Sequence, residues 1–323
     1  MNAVHPRPVV ALATAAAFAA GTLVALQSRL NGELGLRLGD GFLAALISFG
    51  GGFLLLTIGM LLRPAGRRGF REVRSALAER RIPWWLVLGG AAGAFLVLSQ
   101  GLTAALLGVA LFTVATVVGQ TISAAVIDAR GLGTMHPKPI TVTRLAGSVL
   151  ALAAVGWAVS ARIDGDAPLW ALVMPFVAGL GIGYQQAVNG QVRVVASSAL
   201  TATFINFLVG SGVLAVLALG HALVVRPELT PPAEFWLYLG GPIGIVFIGG
   251  ATIIVRITGV LLMGLATVAG QLVASVGLDL LAPSPGHEVA GSTILGTALT
   301  LVAVAIAAIP SRRLGRGVSP SGG

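Results

Sequence analysis

The stretch GTLVALQSRLNG, residues 21–32, sets Gln27, Arg29 and Asn31 at the edge of a long apolar run. It recurs as GLGIGYQQAVNG at 179–190, and the 158-residue offset places Gly21 on Gly179, Gln27 on Gln185, Asn31 on Asn189 and Gly32 on Gly190. The match continues into the next apolar run, Phe49 onto Phe207 and Gly52 onto Gly210. A second block at an offset of 151 aligns WLVLGG (85–90) with WLYLGG (236–241), ATVVGQ (115–120) with ATVAGQ (266–271), and Asp128 with Asp279. Self-similarity on this scale makes the chain two copies of one unit.

The setting of the repeat is a membrane. Of the 323 residues, 56% are hydrophobic and 10% charged, against about 45–50% and about 25% in soluble domains. Segments of about 20 apolar residues can cross a bilayer. Ten are readable, at about 8–29, 42–62, 84–104, 106–127, 140–160, 168–189, 198–220, 235–255, 257–278 and 289–309. The linker at 63–83, RPAGRRGFREVRSALAERRIP, reads as an amphipathic surface helix. The units are expected to be residues 1–162 and 163–311, followed by a cytoplasmic tail at 312–323. The N-terminus has the look of a secretory signal, but the recurrence of the same segment inside the chain argues against its removal.

Ten spans put both termini on one side, and the twenty Lys and Arg residues can then be sorted by side. Arg29, Arg37, Arg162 and Arg226 fall on one side and the other sixteen on the terminal side. The bias places both ends in the cytoplasm of an inner (cytoplasmic) membrane protein. The formal charge of +9 thereby reports orientation, and nucleic acid is not an expected partner. Each unit has five spans, an odd number, so the second enters the membrane inverted. Inverted repeats are the architecture of many secondary transporters, with the site near the interface of the halves.

Ten helices as five plus five, the Gln-x-x-x-Asn motif closing the first helix of each half, and the following AALISFGGG (44–52) and TATFINFLVG (201–210) together resemble the drug/metabolite transporter superfamily, in its YdcZ-type branch. The resemblance covers essentially the whole chain, as a fused pair of units that in this family also occur as separate small proteins. It implies an all-α, ten-helix fold of two inverted five-helix repeats. It also implies a cavity among the first four helices of each half and a fifth helix that is peripheral.

Two readings of the motif stand side by side. Asn-Gly is a common helix-ending signal, because both residues tolerate the left-handed C-cap conformation. Alternatively, Gln27 and Asn31, four residues apart, share one helix face and contact substrate or gate it, as do Gln185 and Asn189. Gln120 and Gln271 lie deeper, each four residues after a threonine (Thr116, Thr267), and either link helices or line a cavity. Asn206 and Gln100 are amides whose counterparts are Ser48 and Ala251, so they suit substrate selection. Asp128 and Asp279 are helix-end charges or coupling groups. Arg29 is expected to pair with Glu33 four residues on, and Arg256 to snorkel to the cytoplasmic surface.

No cofactor is called for. The four histidines are expected in tails and loops at no metal-ligand spacing, there are no cysteines, and no HExxH, GxSxG or intramembrane acid pair supports an enzyme. The expected function is alternating-access transport of a small polar or amphipathic metabolite or drug, with a channel or membrane scaffold as the alternative. The partners are the lipid bilayer and a small-molecule substrate. With both halves fused, a monomer suffices.

Overall fold

A computed structural model describes residues 7–132, 168–226, 230–282 and 291–308, with scattered positions between 142 and 157. Every regular element among the described residues is helical, and six stretches are long and apolar enough to cross a membrane. Hydrocarbon offers backbone N–H and C=O groups no partner, which is why apolar runs of this length adopt helix. The helices are α1 (Arg7–Leu38), α2 (Gly41–Leu62), α3 (Pro64–Ala78), α4 (Gly89–Ser99), α5 (Val109–Arg130), α6 (Leu169–Ala196), α7 (Ala199–Val225), α8 (Gly240–Leu281) and α9 (Gly291–Ala308). A π turn, Gln100–Ala104, and a last turn to Leu107 extend α4. Short 3₁₀ turns, Trp84–Leu88 and Phe235–Leu239, precede α4 and α8. The expected fifth span, 140–160, lies mostly outside the described residues.

The helix-ending reading of Asn-Gly is overturned. Helix α1 runs through Asn31-Gly32 to Leu38, and α6 through Asn189-Gly190 to Ala196. The chain turns instead at Gly39 (φ +65°) and Ser197 (φ +51°), equivalent positions in the repeat. The next residue caps the following helix: Asp40 Oδ1 accepts from Phe42 N and Leu43 N at 2.8 and 3.1 Å, and Ser198 Oγ from Thr201 N at 3.2 Å. Such side-chain acceptors satisfy the orphan amides of a first turn. Gly32 has a packing role, since a Cβ there would come within 2.9 Å of Ala104 Cβ.

Expected spans eight and nine form one helix, α8. It is not straight. Gly240 lies against Asn31 and Gly270 against Phe18, positions on α1 about 20 Å apart, whereas thirty residues of straight helix measure about 45 Å. The bend lies between these contacts, and it brings both parts of α8 alongside α1.

The offsets of the sequence repeat reappear as contacts. Gly21 of α1 packs on the backbone of Thr267 and Gln271, and Gly179 of α6 on that of Thr116 and Gln120. Gly270 faces the Phe18 carbonyl and Gly119 the Phe176 carbonyl. Each first helix therefore crosses the fourth helical segment of the other half at a glycine, where backbones approach closely. Helices α2 and α7, equivalent in the repeat, run antiparallel. Phe42 meets His221, Phe49 meets Phe207, Phe53 meets Phe204 and Gly59 meets Leu200. Their shared core comprises Ala45, Phe49, Leu56, Ala94, Val97, Leu98, Phe207 and Leu214.

Helix α3 is the expected amphipathic element. It buries Gly66, Gly69, Val73 and Ala76 against the α6–α7 corner, where Thr201 Oγ1 donates to the Gly66 carbonyl at 2.9 Å.

Candidate functional site: two buried amide clusters astride a phenylalanine pair

The first cluster is built on α1. Residues four apart share a helix face, so Gln27 and Asn31 point the same way. Gln27 Nε2 donates to the Gly240 carbonyl at 2.7 Å, crossing to the other half. Asn31 Nδ2 donates to Gln100 Oε1 at 2.7 Å, and Gln100 Nε2 to Ser28 Oγ at 2.9 Å. Asn31 and Gln100 are fully buried, and Gln100 opens the π turn of α4, a distortion often found at functional sites. Gly240 has no room for a Cβ, because Asn31 Oδ1 and Ser48 Oγ converge on it. Those two oxygens, with Ser99 Oγ, are buried without a hydrogen-bond partner. Each such group costs about 1–3 kcal/mol.

The second cluster is built on α6. Gln185 Nε2 and Asn189 Nδ2 both donate to Asn206 Oδ1, at 2.9 and 3.0 Å, while Asn206 Nδ2 is buried and unpartnered. Gly89 and Gly93 provide the space, a Cβ on Gly89 falling 2.8 Å from Asn189 Oδ1 and one on Gly93 striking the Gln185 amide.

The clusters are connected through the centre. The rings of Phe49 and Phe207 stack with centroids 4.5 Å apart and planes at 24°, Phe49 over Gly210 and Phe207 over Gly52. Gly244 separates Phe207 from Gln27, and Gly93 separates Phe49 from Gln185. The result is a row, Gln27, Phe207, Phe49, Gln185, related end to end by the repeat.

The remaining expected residues are placed apart from this row. Gln120 and Gln271 are buried at the two helix crossings, with Gln120 Oε1 unpartnered. Thr116 Oγ1 donates back to the Phe112 carbonyl at 2.9 Å, not to Gln120. Asp279 is buried at the start of α5: its Oδ1 accepts from Val109 N at 3.0 Å and Oδ2 from Ala110 N at 2.7 Å, beside Gly108 at φ +77°. A carboxylate there meets the positive end of the helix and two free amides. The side chains of Asp128 and Arg256 lie outside the described residues. Glu33 pairs with Arg37 at 2.7 Å, and Arg37 also with Glu234. Its own backbone and then Arg37 hold the Glu234 carboxyl below the usual carboxylate range.

His221 corrects another expectation. It lies inside α7, not in a loop, because the helix continues to Val225. Its Nδ1 is 3.3 Å from Asp40 Oδ2 and its ring stacks on Phe42 at 4.5 Å. Among the described residues no three metal-type side chains gather. The Phe49–Phe207 pair and the place of Gln100 as partner of Asn31 were not read from the sequence, although the Phe pair occupied matching repeat positions.

Residues 12–157 and 170–306 match the family described as "Putative inner membrane exporter, YdcZ". The chain belongs to the DMT YdcZ family. The two matched segments make it a fused two-half member, an integral membrane protein of the drug/metabolite transporter type. A YdcZ-family description as exporter speaks for transport over catalysis. No curated protein matches the chain. In three dimensions a crystal structure of a protein aligns at a TM-score of 0.56 and 20% identity, covering 94% of this chain and 98% of that one. That likeness speaks for the fold alone.

Proposed function

We propose that this YdcZ-family protein is a secondary transporter that moves a small, hydrogen-bonding amphipathic solute by alternating access, with both termini cytoplasmic. The observation that carries the proposal is the row Gln27, Phe207, Phe49, Gln185, buried where the halves meet. Stacked rings suit an apolar or flat body, and amides at either end suit neutral or zwitterionic polar groups. Gln27, Asn31, Gln185, Asn189 and Asn206 are the proposed contacts, with Gln120 and Gln271 as flanking residues at the crossings.

The two clusters are wired differently, which supports two-state exchange. Gln27 reaches the Gly240 carbonyl of the opposite half, whereas Gln185 stays with Asn206 of its own half. The repeat maps Gly240 onto Gly89, so in the opposite state Gln185 would take the Gly89 carbonyl and Gln27 would turn to Ser48. Purified protein in proteoliposomes, challenged with a metabolite and drug panel, should show saturable flux and counterflow. Gln27→Ala and Gln185→Ala should each abolish counterflow of the solute identified. Non-saturating, ohmic flux would make it a channel instead.

A further inference from the structure

Helix α3 carries an arc of arginines that the proposed transport path does not use, and one of them, Arg67, donates to the Leu61 carbonyl at 2.7 Å at the end of α2. At about 100° per residue, Arg74, Arg67 and Arg71 lie about 80°, 100° and 140° around the helix from Gly66, and Arg68 at about 200°. By the same count Glu79 and Glu72 lie at about 220° and 240°, and the buried Ala76, Gly69 and Val73 at about 280–340°. Arg74, Arg67 and Arg71 thus stand apart from both glutamates, with Arg68 at the boundary beside them. Arg81 engages both acids, Glu72 at 3.0 Å and Glu79 at 2.8 Å. The Ser75 hydroxyl and then Arg81 hold the Glu79 carboxyl below the usual carboxylate range. The acids are therefore occupied away from the arc, and Arg67, Arg68, Arg71 and Arg74 all stand exposed.

The arc also has a fixed place relative to the bilayer. Helix α3 begins two residues after α2 ends at Leu62, and its buried stripe is bound to the α6–α7 corner through Thr201 and Gly66. Leu61, Leu62 and Trp84, on either side of it, are strongly exposed apolar residues. A helix held at the end of a span, with lipid-exposed neighbours and one cationic arc, lies at headgroup depth. We propose that the arginine arc of α3 binds anionic phospholipid headgroups of the leaflet it faces, and so fastens the α2 end and the α6–α7 corner to that leaflet. Charge complementarity selects the partner, because basic segments beside a span are drawn to anionic lipid.

The test is native mass spectrometry of the purified full chain after exchange with phosphatidylglycerol or phosphatidylcholine. Wild-type protein is expected to retain several-fold more phosphatidylglycerol. The variant Arg68→Gln/Arg71→Gln/Arg74→Gln should lose that preference, and Arg312→Gln/Arg313→Gln/Arg316→Gln should keep it. Equal retention of the two lipids by wild type, or a preference that survives in the α3 variant, overturns the proposal. A second measurement leaves the arginines intact. The chain has no cysteine, so Ala78→Cys carries a single environment-sensitive fluorophore. Its emission should shift with phosphatidylglycerol vesicles and not with phosphatidylcholine vesicles or soluble glycerol phosphate. An equal response to all three refutes a lipid site.

Discussion

Asp279 separates a structural role from a coupling role, and the numbers are large enough to measure. Its two carboxylate oxygens satisfy Val109 N and Ala110 N at the buried start of α5. Asp279→Ala leaves two buried N–H groups without acceptors, at about 1–3 kcal/mol each. Ordinary N-caps lose about 0.5–2 kcal/mol on truncation, so about 3 kcal/mol is expected for this buried, charged, two-bond cap. Asp279→Asn keeps one acceptor and turns an amide N–H toward the other backbone N–H, so about half the loss should appear. Equilibrium unfolding in mixed micelles of rising SDS fraction, followed by tryptophan fluorescence, reads these differences. If Asp279→Asn changed stability by less than about 0.5 kcal/mol while abolishing transport, the capping argument would fail and the carboxylate would be a coupling group.

Four further outcomes are expected. Truncating Phe49 or Phe207 to Ala should cost about 3–5 kcal/mol each, and the double-mutant cycle should return a coupling of about 0.5–1.5 kcal/mol for the stacked rings; independent effects would count against the pair as a unit. Gly240→Ala should destabilise by about 1–3 kcal/mol through overpacking and break the Gln27 bond, seen as a lowered unfolding midpoint; unchanged stability would mean the site has slack. Cysteines introduced at Gly39 and Ser197 should label from opposite sides of the membrane, and same-side labelling would refute the inverted repeat. Because Glu234 is held below its ordinary range, its tie to Arg37 is present at neutral pH and lost only as pH falls below about 4.3, the unperturbed glutamate value. The mobility of a spin label attached beforehand at Gly39→Cys should rise in that range, and a flat profile would place the tie elsewhere.

The repeat was legible because helix crossings demand small residues at fixed positions. Gly21, Gly179, Gly119 and Gly270 kept their register in sequence for the same reason that they touch backbones in space. Helix ends were harder to place. Asn31-Gly32 looked like a stop because the local signal is genuine, but burial of the following turn against α4 overrides it, and the stop comes at Gly39. The break between spans eight and nine was read from Arg256, a charge in an apolar run, whereas the chain bends without leaving helix. Partners in the amide clusters were illegible: Gln100 and Asn31 are 69 residues apart, and no periodicity joins them. Arg29 and Arg37 both stand four residues from Glu33, so spacing alone did not reveal that Arg37 joins Glu33 to Glu234.

The crossing of α1 with the far part of α8 has a consequence for how the protein is made. Gly21 finds Thr267 and Gln271 only after about 250 further residues have been synthesised, on the order of 10–50 s at about 5–20 residues per second. Until then the Gly21 face of the first helix lacks its partner, while its Asn31 end has Gln100 of its own half. The fused chain keeps that delay within one molecule, where the late helix arrives at high local concentration, tethered to the surface that awaits it.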